Sequence, residues 1–160
     1  MQSVTLLCVG KLKEAFWANA CREYEKRLGA FCKLNVVEVE EQRCPDRPGP
    51  GDIAAVLQKE GRRLLQKIPD GAAVAAFCIE GKPLSSPAFA DYIAQTALAG
   101  RSHLVLIIGG SFGLSDEVKA RADARLSVSP MTFPHQLFRV MALEQVYRAF
   151  QINAGGKYHK

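Results

Sequence analysis

A glycine-rich segment follows the most strand-like run of the sequence. Residues 104–108 read Leu-Val-Leu-Ile-Ile, and residues 109–113 read Gly-Gly-Ser-Phe-Gly. Glycine lacks a Cβ, so its backbone can approach a ligand closely and can adopt positive φ. The segment is therefore a candidate ligand-binding turn, with a plain strand-to-helix turn as the alternative. Walker A is absent, and no Gly-x-Gly-x-x-Gly follows the first strand, which disfavours an ordinary Rossmann nucleotide site.

A second candidate segment is an apolar loop at residues 129–134, Ser-Pro-Met-Thr-Phe-Pro. Loops normally run over the surface and face water. An apolar loop is explained when a flat apolar ligand covers it while its backbone groups hydrogen-bond the polar edge of that ligand. Cover by the protein itself, or by a second subunit, is the alternative. His135 follows the loop at a helix start, where a cap or structural residue is commoner than a functional group.

The last predicted helix, residues 135–153, mixes charged and apolar side chains. At about 100° per residue, Glu144, Arg148 and Gln151 share one narrow stripe, and apolar residues occupy most of the remainder. Such a helix needs cover on more than one side, which predicts a symmetric homodimer. Arg139 lies among apolar neighbours, and a buried Arg is costly unless it meets an anion. We predict functional roles for Arg139 and Arg148, with a surface i, i+4 pair between Glu144 and Arg148 as the alternative.

The sequence ends in Gly-Gly-Lys-Tyr-His-Lys, residues 155–160. Chain ends usually fray, so the residues alone favour a disordered basic end. Tyr158 and His159 stand between two lysines, and such a group could instead stack on a base and contact phosphate.

Strands and helices that would position these segments alternate along the sequence. Strands are predicted at residues 4–9, 34–39, 73–79, 104–108 and 125–129, and helices at 14–29, 52–68, 87–100, 115–122 and 135–153. Asp52 is the predicted cap of the second helix, and residues 43–51, rich in Pro and Gly, predict a loop. This alternation predicts an α/β domain whose mainly parallel sheet has helices on both faces. Its ligand would lie at the carboxyl ends of strands, near the loops at 80–83, 109–113 and 129–134.

Composition narrows the class of protein. The 160 residues predict a single domain, 1–160, and a net charge of +5 permits an anionic partner such as RNA without proving one. Five cysteines without a Cys-x-x-Cys argue against a disulfide framework and against a metal site. No segment approaches the ~20 apolar residues of a membrane span, and no signal peptide is evident. A cytoplasmic protein with no membrane partner is the expectation.

Taken together, these segments resemble the RlmH family, the large-subunit ribosomal RNA methyltransferases H of the SPOUT superfamily. The similarity covers essentially the whole chain. Its most specific parts are residues 79–83, 106–110, 131–135, 139–140, 144–149 and 158–160. The resemblance implies a C-terminal trefoil knot, a rare exception to the usual topology rules. It also implies S-adenosyl-L-methionine (SAM) as cofactor and a homodimer in which the partner's tail completes the substrate site.

The resemblance further implies which residues hold the cofactor. The adenosine of SAM would be bound by residues near the ends of three strands: Phe77, Gly109, Gly110, Ser129, Pro130, Met131, Thr132, Phe133 and Pro134. No role is carried over to Phe112 or to residues 43–51.

The implied reaction is methylation of N3 of a pseudouridine in 23S rRNA, in assembled 70S ribosomes. This imide nitrogen is protonated at neutral pH and must lose its proton before or during attack on the methyl group. His159 would act as base or orient one, and Tyr158 would stack on or hydrogen-bond the nucleotide. Arg139, Arg148 or Lys160 would stabilise the negative charge of the nucleotide or bind phosphate.

Three other functions stay open. The first is another SPOUT enzyme acting on tRNA or a different rRNA site, which the short chain and the Tyr-His ending disfavour. The second is a non-catalytic ribosome-binding module, against which the glycine pair, the apolar loop and the tail argue. The third, a flavodoxin-like domain, predicts a flavin or phosphate ligand. A DNA partner is not expected.

Overall fold

Five strands and five helices alternate along residues 1–160, all of which the computed structural model describes. The strands are β1 (Ser3–Val9), β2 (Lys33–Val39), β3 (Ala73–Pro83), β4 (His103–Ile108) and β5 (Ala124–Ser127). The helices are α1 (Ala15–Leu28), α2 (Pro50–Leu65), α3 (Ser86–Leu98), α4 (Asp116–Arg121) and α5 (His135–Asn153). The sheet order is β2-β1-β4-β3-β5, and every neighbouring pair is parallel. The predicted α/β class is confirmed, while the trefoil knot, which concerns chain threading, stays a prediction.

Side chains of the central strands alternate between two hydrophobic cores. On β4, Leu104 and Leu106 face a core covered by α1, α3 and α5, while Val105 and Ile107 face a core covered by α2 and α4. Because both faces are covered, the strand is a continuous apolar run. Burial of each such side chain contributes about 1.5–3 kcal/mol relative to exposure. None of the five helices combines the length and apolar composition that a membrane crossing requires.

Several predicted boundaries differ from the structure: α2 ends at Leu65 instead of residue 68, and β5 is Ala124–Ser127 instead of 125–129. Two further differences have a clear local cause. The helix α2 begins at Pro50 after an N-cap at Gly49, because proline suits the first helical position, where its missing N–H would have no partner anyway. Asp52 is not the cap: it lies in the first turn and accepts a hydrogen bond from the Gly49 amide at 2.9 Å. Residues 80–83 are not a loop but the end of β3, which resumes its pairing with β5 at Lys82 after a register shift.

The helix α5 packs on α1 and α3 and is only partly covered. Its buried residues are Arg139, Ala142, Leu143, Val146 and Ala149. Other apolar side chains of the same helix keep partial exposure: Leu137, Phe138, Val140, Met141, Tyr147, Phe150 and Ile152. A second subunit over this surface stays a prediction.

Arg139 is the buried cation of the fold. Its side chain is 3% exposed, pairs with the Glu38 carboxylate at 2.5 Å and donates to the Gly10 carbonyl at 3.1 Å. Glu38 lies near the end of β2 and Gly10 directly follows β1, so Arg139 fastens α5 to the carboxyl ends of both strands. The anion that a buried Arg requires is therefore supplied by the same chain.

Replacing Arg139 with Met should lower the free energy of unfolding by about 3 kcal/mol, because Glu38 and the Gly10 carbonyl lose their partner. Urea unfolding at fixed protein concentration, followed by circular dichroism, measures the change. The control, Arg27→Met, breaks the exposed pair with Glu23 and should cost less than about 1 kcal/mol. Equal losses in the two variants would contradict this account of Arg139.

Candidate functional site

A cleft of about 800 Å³ lies along β3 and at the carboxyl ends of β4 and β5. Small-molecule sites usually measure about 300–1,000 Å³, so the cleft has the size of a ligand pocket. Its walls are residues 77–80, 108–114, 126–129 and 131–135, with Lys119 and Phe138. The position agrees with the predicted site at the carboxyl ends of strands.

All but one of the residues predicted to hold a cofactor line this cleft. They are Phe77, Gly109, Gly110, Ser129, Met131, Thr132, Phe133 and Pro134. Pro130 is exposed and does not line the cleft. It lies within a turn in which the Ser129 hydroxyl accepts a hydrogen bond from the Met131 amide at 3.0 Å.

The glycine turn is tight because of its own backbone packing. A Cβ on Gly109 would lie 2.5 Å from the carbonyl oxygen of Gly113, and one on Gly110 would lie 3.2 Å from Val9. The Gly113 amide donates to the Gly110 carbonyl at 3.0 Å, and Gly113 has a φ of +83°. The segment is thus a tight strand-to-helix turn and also a wall of the cleft.

Three backbone donors on this turn have no acceptor in the chain. The N–H groups of Gly109, Ser111 and Phe112 make no backbone hydrogen bond, and no side chain accepts from them. Gly110 is instead paired with Gly113 in an antiparallel bridge. Backbone amides without a protein partner are normally satisfied by water or ligand. Because these residues line the cleft, their amides can hold polar atoms of a bound molecule.

The apolar loop opens into the cleft without cover from its own chain. Met131 is 73% exposed, and the exposed side chains of Ile79 and Phe112 lie at the same cleft. The alternative that the protein itself covers this loop is wrong. The rings of Phe77 and Phe138 pack edge to face with their centroids 5.2 Å apart, and together they give the cleft an aromatic wall.

Glu80, Lys119 and Cys78 also line the cleft, although none of them is a predicted site residue. Lys119 forms a salt bridge with Glu80, and the hydrogen bond in this pair lowers the pKa of the Glu80 carboxyl. The sequence signals that point to Glu80 are its place at the predicted end of a strand and within residues 79–83, which carry the family resemblance. Burial raises the pKa of the Cys78 thiol, so the thiol is not an activated nucleophile.

The C-terminal tail folds back on α5, so the frayed basic end is a wrong prediction. The Tyr158 hydroxyl donates to Glu144 at 3.1 Å, and the Arg148 guanidinium lies 4.7 Å over the Tyr158 ring. Arg148 donates to Glu144 through Nε at 2.9 Å, which confirms the i, i+4 pair. Its Nη1 lies 3.3 Å from Nδ1 of His159.

This C-terminal cluster is separate from the cleft of the same chain. Arg148, Tyr158 and His159 do not line the cleft, whereas His135 and Phe138 in the first turn of α5 do. A helix rises about 1.5 Å per residue, so roughly 9 Å of helix axis separates Phe138 from Glu144. Arg139 also does not line the cleft, because its guanidinium faces Glu38. The structure thus gathers three of the four predicted catalytic residues and leaves the fourth apart.

Comparison with known proteins adds the family to this geometry. A family model described as "Predicted SPOUT methyltransferase" matches residues 2–159. The chain belongs to the SPOUT methyltransferase family. Relatives named "Ribosomal RNA large subunit methyltransferase H" include those of Clostridium novyi, 48% identical over 99% of both chains, and Bifidobacterium adolescentis, 50% identical over 98% of this chain and 99% of the relative. The resemblance to the RlmH family is therefore confirmed.

A solved structure shares the fold of this SPOUT protein. It is "a probable methylase family protein from Haemophilus influenzae Rd KW20", with a TM-score of 0.54 and 11% sequence identity. The match covers 98% of this chain and 70% of that chain. At this identity the likeness concerns the fold alone.

Burial raises the pKa of Tyr158 to about 12, and hydrogen bonds to Tyr24 and Glu144 and the charge of Glu144 add to the effect. The unfolded phenol titrates near its ordinary pKa of about 10. The stability that Tyr158 contributes is therefore present below pH ~10 and is lost as the pH rises through about 12. Glu144→Gln should lower this pKa, because it removes the nearest negative charge.

Tyrosinate absorbance during pH titration measures the shift, and subtraction of the Tyr158→Phe titration isolates this phenol. Glu117→Gln, an exposed carboxylate on α4, serves as the control and should leave the curve in place. An unchanged Tyr158 titration in Glu144→Gln would contradict the described contact.

Proposed function

We propose that this SPOUT protein methylates N3 of a pseudouridine in 23S rRNA with SAM as the methyl donor. The reaction would take place in the cytoplasm, on the assembled 70S ribosome, and would need a homodimer. Relatives whose names specify large-subunit ribosomal RNA align with the chain from end to end. The observation that carries the proposal is the cleft that joins the glycine turn to the apolar loop.

The cleft fits SAM in shape and in chemistry. Its aromatic wall of Phe77, Phe133 and Phe138 suits a flat purine, and the unpaired amides of Gly109, Ser111 and Phe112 suit polar atoms of the nucleoside. When bound, SAM supplies an electrophilic methyl group on a sulfonium. Gly109 and Gly110 would bring the backbone close to the adenosine. The apolar loop would cover it through the residues Ser129, Pro130, Met131, Thr132, Phe133 and Pro134.

The C-terminal cluster suits the acceptor. Guanidinium groups have no acceptor, so the contact between Arg148 and His159 requires that Nδ1 of His159 accepts the hydrogen bond. A neutral His159 then carries its proton on Nε2 and donates from there. This tautomer favours stabilisation of a developing imide anion over removal of its proton. Tyr158, whose ring is held between Arg148 and Tyr147, would contact the nucleotide, and Lys160 would contact phosphate.

Arg139 has a positioning role in this proposal. Its donors are occupied by Glu38 and the Gly10 carbonyl, and its side chain is buried. Its contribution to catalysis would come through the placement of α5, which carries His135 and Phe138 at the cleft.

The distance between cluster and cleft supports a homodimer. About 9 Å of α5 lies between Phe138 at the cleft and Glu144 in the cluster, and no residue of the cluster lines the cleft of its own chain. A partner subunit packed on the partly exposed apolar side of α5 would bring its own tail to this cleft. The net charge of +5 favours a polyanionic substrate.

Cells that lack this protein should lose one methylated pseudouridine from 23S rRNA, which mass spectrometry of nuclease digests detects. The wild-type gene should restore it. In vitro, purified protein should methylate 70S ribosomes and not free tRNA. Retention of the modified nucleotide in the deletion strain would contradict the proposed substrate, and activity on tRNA would favour another SPOUT activity.

His159→Ala and Tyr158→Phe should each lower turnover by about 100-fold, because they remove groups that act on the acceptor. Calorimetry should show unchanged SAM binding, since neither residue lines the cleft. Lys157→Ala, an exposed change in the same tail, is the matched control and should keep near-normal turnover.

Co-expression of Gly109→Ala chains with His159→Ala chains then tests whether the tail of one subunit completes the cleft of the other. If the partner supplies it, half of the dimers are mixed and one of their two sites is intact, which gives about a quarter of wild-type activity. If each tail served its own cleft, no intact site would form. Absence of activity in the mixed preparation would therefore sink the shared-site arrangement.

A further inference from the structure

Glu60 on α2 is a buried carboxylate with one unpaired oxygen. The residue is 3% exposed. Its Oε2 accepts a hydrogen bond from the backbone N–H of Gln42 at 3.0 Å, while Oε1 is buried and has no partner. A buried polar atom without a partner destabilises a fold, and an ionised one does so more. The contact with Gln42 accounts for one oxygen of the carboxylate, and nothing in the core accounts for the other.

The unpaired oxygen lies directly beneath the glycine turn. A Cβ on Gly110 would lie 3.2 Å from Oε1 of Glu60, and Gly110 lines the cleft. Only the backbone of the glycine turn therefore lies between the carboxylate and the cleft. The backbone of α2 is closely packed at the next residue, because a Cβ on Gly61 would clash with the hydroxyl of Ser115, the N-cap of α4.

Glu60 forms no salt bridge. Lys119, the cation that lines the cleft, is already paired with Glu80. Arg63 is near enough for its charge to lower the pKa of Glu60, but its hydrogen bonds go to the Glu40 carbonyl and the Gln42 side chain, and Glu41 adds a further negative charge. A cation inside the cleft would meet the field of a carboxylate that no ion pair neutralises.

We propose that Glu60 is a buried counter-charge that makes the cleft prefer a positively charged sulfonium ligand to the neutral thioether left after methyl transfer. The inference rests on the proposed function. Transfer moves the methyl group from sulfur to the imide nitrogen, which loses its proton, and the sulfur becomes neutral. Glu60 then attracts the product less than the donor, so the same charge favours donor binding and product release. Glu60 touches none of the reacting atoms and is a specificity-determining residue.

The variant Glu60→Gln tests this inference, because glutamine keeps the size of the side chain and an oxygen acceptor for the Gln42 backbone N–H, while an NH2 group replaces the charged oxygen. Calorimetry would compare SAM, S-adenosylhomocysteine, and an analogue with an ammonium group in place of the sulfonium. The variant should lose about ten-fold in affinity for both cationic ligands, as expected for a unit charge at an effective dielectric near 20. Its affinity for the neutral thioether should stay within about two-fold. Glu41→Gln is the matched control, because that carboxylate is exposed to water, and it should alter no affinity by more than about two-fold.

The pH dependence of ligand binding by the wild-type protein provides a second test. Burial raises the pKa of Glu60, and protonation at lower pH removes its charge. The preference for SAM over the thioether should therefore decrease as the pH falls, and it should be flat in Glu60→Gln. The nearby ionisable groups are Glu41, Arg63 and Cys44, and burial raises the pKa of the Cys44 thiol, so the thiol stays neutral at these pH values.

Equal losses for all three ligands would show that Glu60 only shapes the turn, and an unchanged preference would likewise overturn the inference. Failure of the wild-type protein to bind any of the three would instead overturn the proposed cofactor.

Discussion

Close backbone packing at the glycine turn is the constraint on which the cleft depends. Gly109 lies against Gly113 with no room for a Cβ, and Gly110 lies against Val9 and the Glu60 carboxylate. Side chains at these positions would push the turn off β1 and α2. Because the turn is held from below by its own chain, its residues form a fixed wall of the cleft that carries amides without a protein partner.

The long helix α5 connects the two halves of the proposed site. Its first turn lines the cleft, its middle is fastened through Arg139 to the ends of β1 and β2, and its last turns carry the cluster with the tail. A rigid helix keeps cleft and cluster apart in one chain. In the proposed homodimer, the same rigidity would fix the position of the cluster of one chain relative to the cleft of the other.

Charge is distributed unevenly over this arrangement. Lys119 and Glu80 neutralise one another at the cleft, and Arg148 is held by Glu144 beneath the tail. Glu60 has no such partner. The proteins of this family transfer a methyl group from a donor. A carboxylate without an ion pair beside the binding turn would make the cleft bind a cationic donor more tightly than a neutral product.

The sequence by itself determined the α/β class, the element order and the two segments that form the cleft walls. Those inferences depend on local patterns: apolar runs buried on both faces, glycines after a strand, and prolines in an apolar loop. It also determined the family, because motifs along the whole chain match in order and spacing.

Only the tertiary structure decided what each polar residue contacts. No local pattern shows that Glu38 meets Arg139, that residues 80–83 continue β3, or that Tyr158 folds back onto Glu144. The ion pair and the strand pairing join residues far apart in sequence. The position of the tail depends on a single hydrogen bond that follows flexible glycines. Glu60 looks like any helical surface acid in the sequence, and its burial beneath Gly110 follows from how α2 packs on the sheet. Periodicity specifies which face of an element is covered, but not which atom of a distant element covers it.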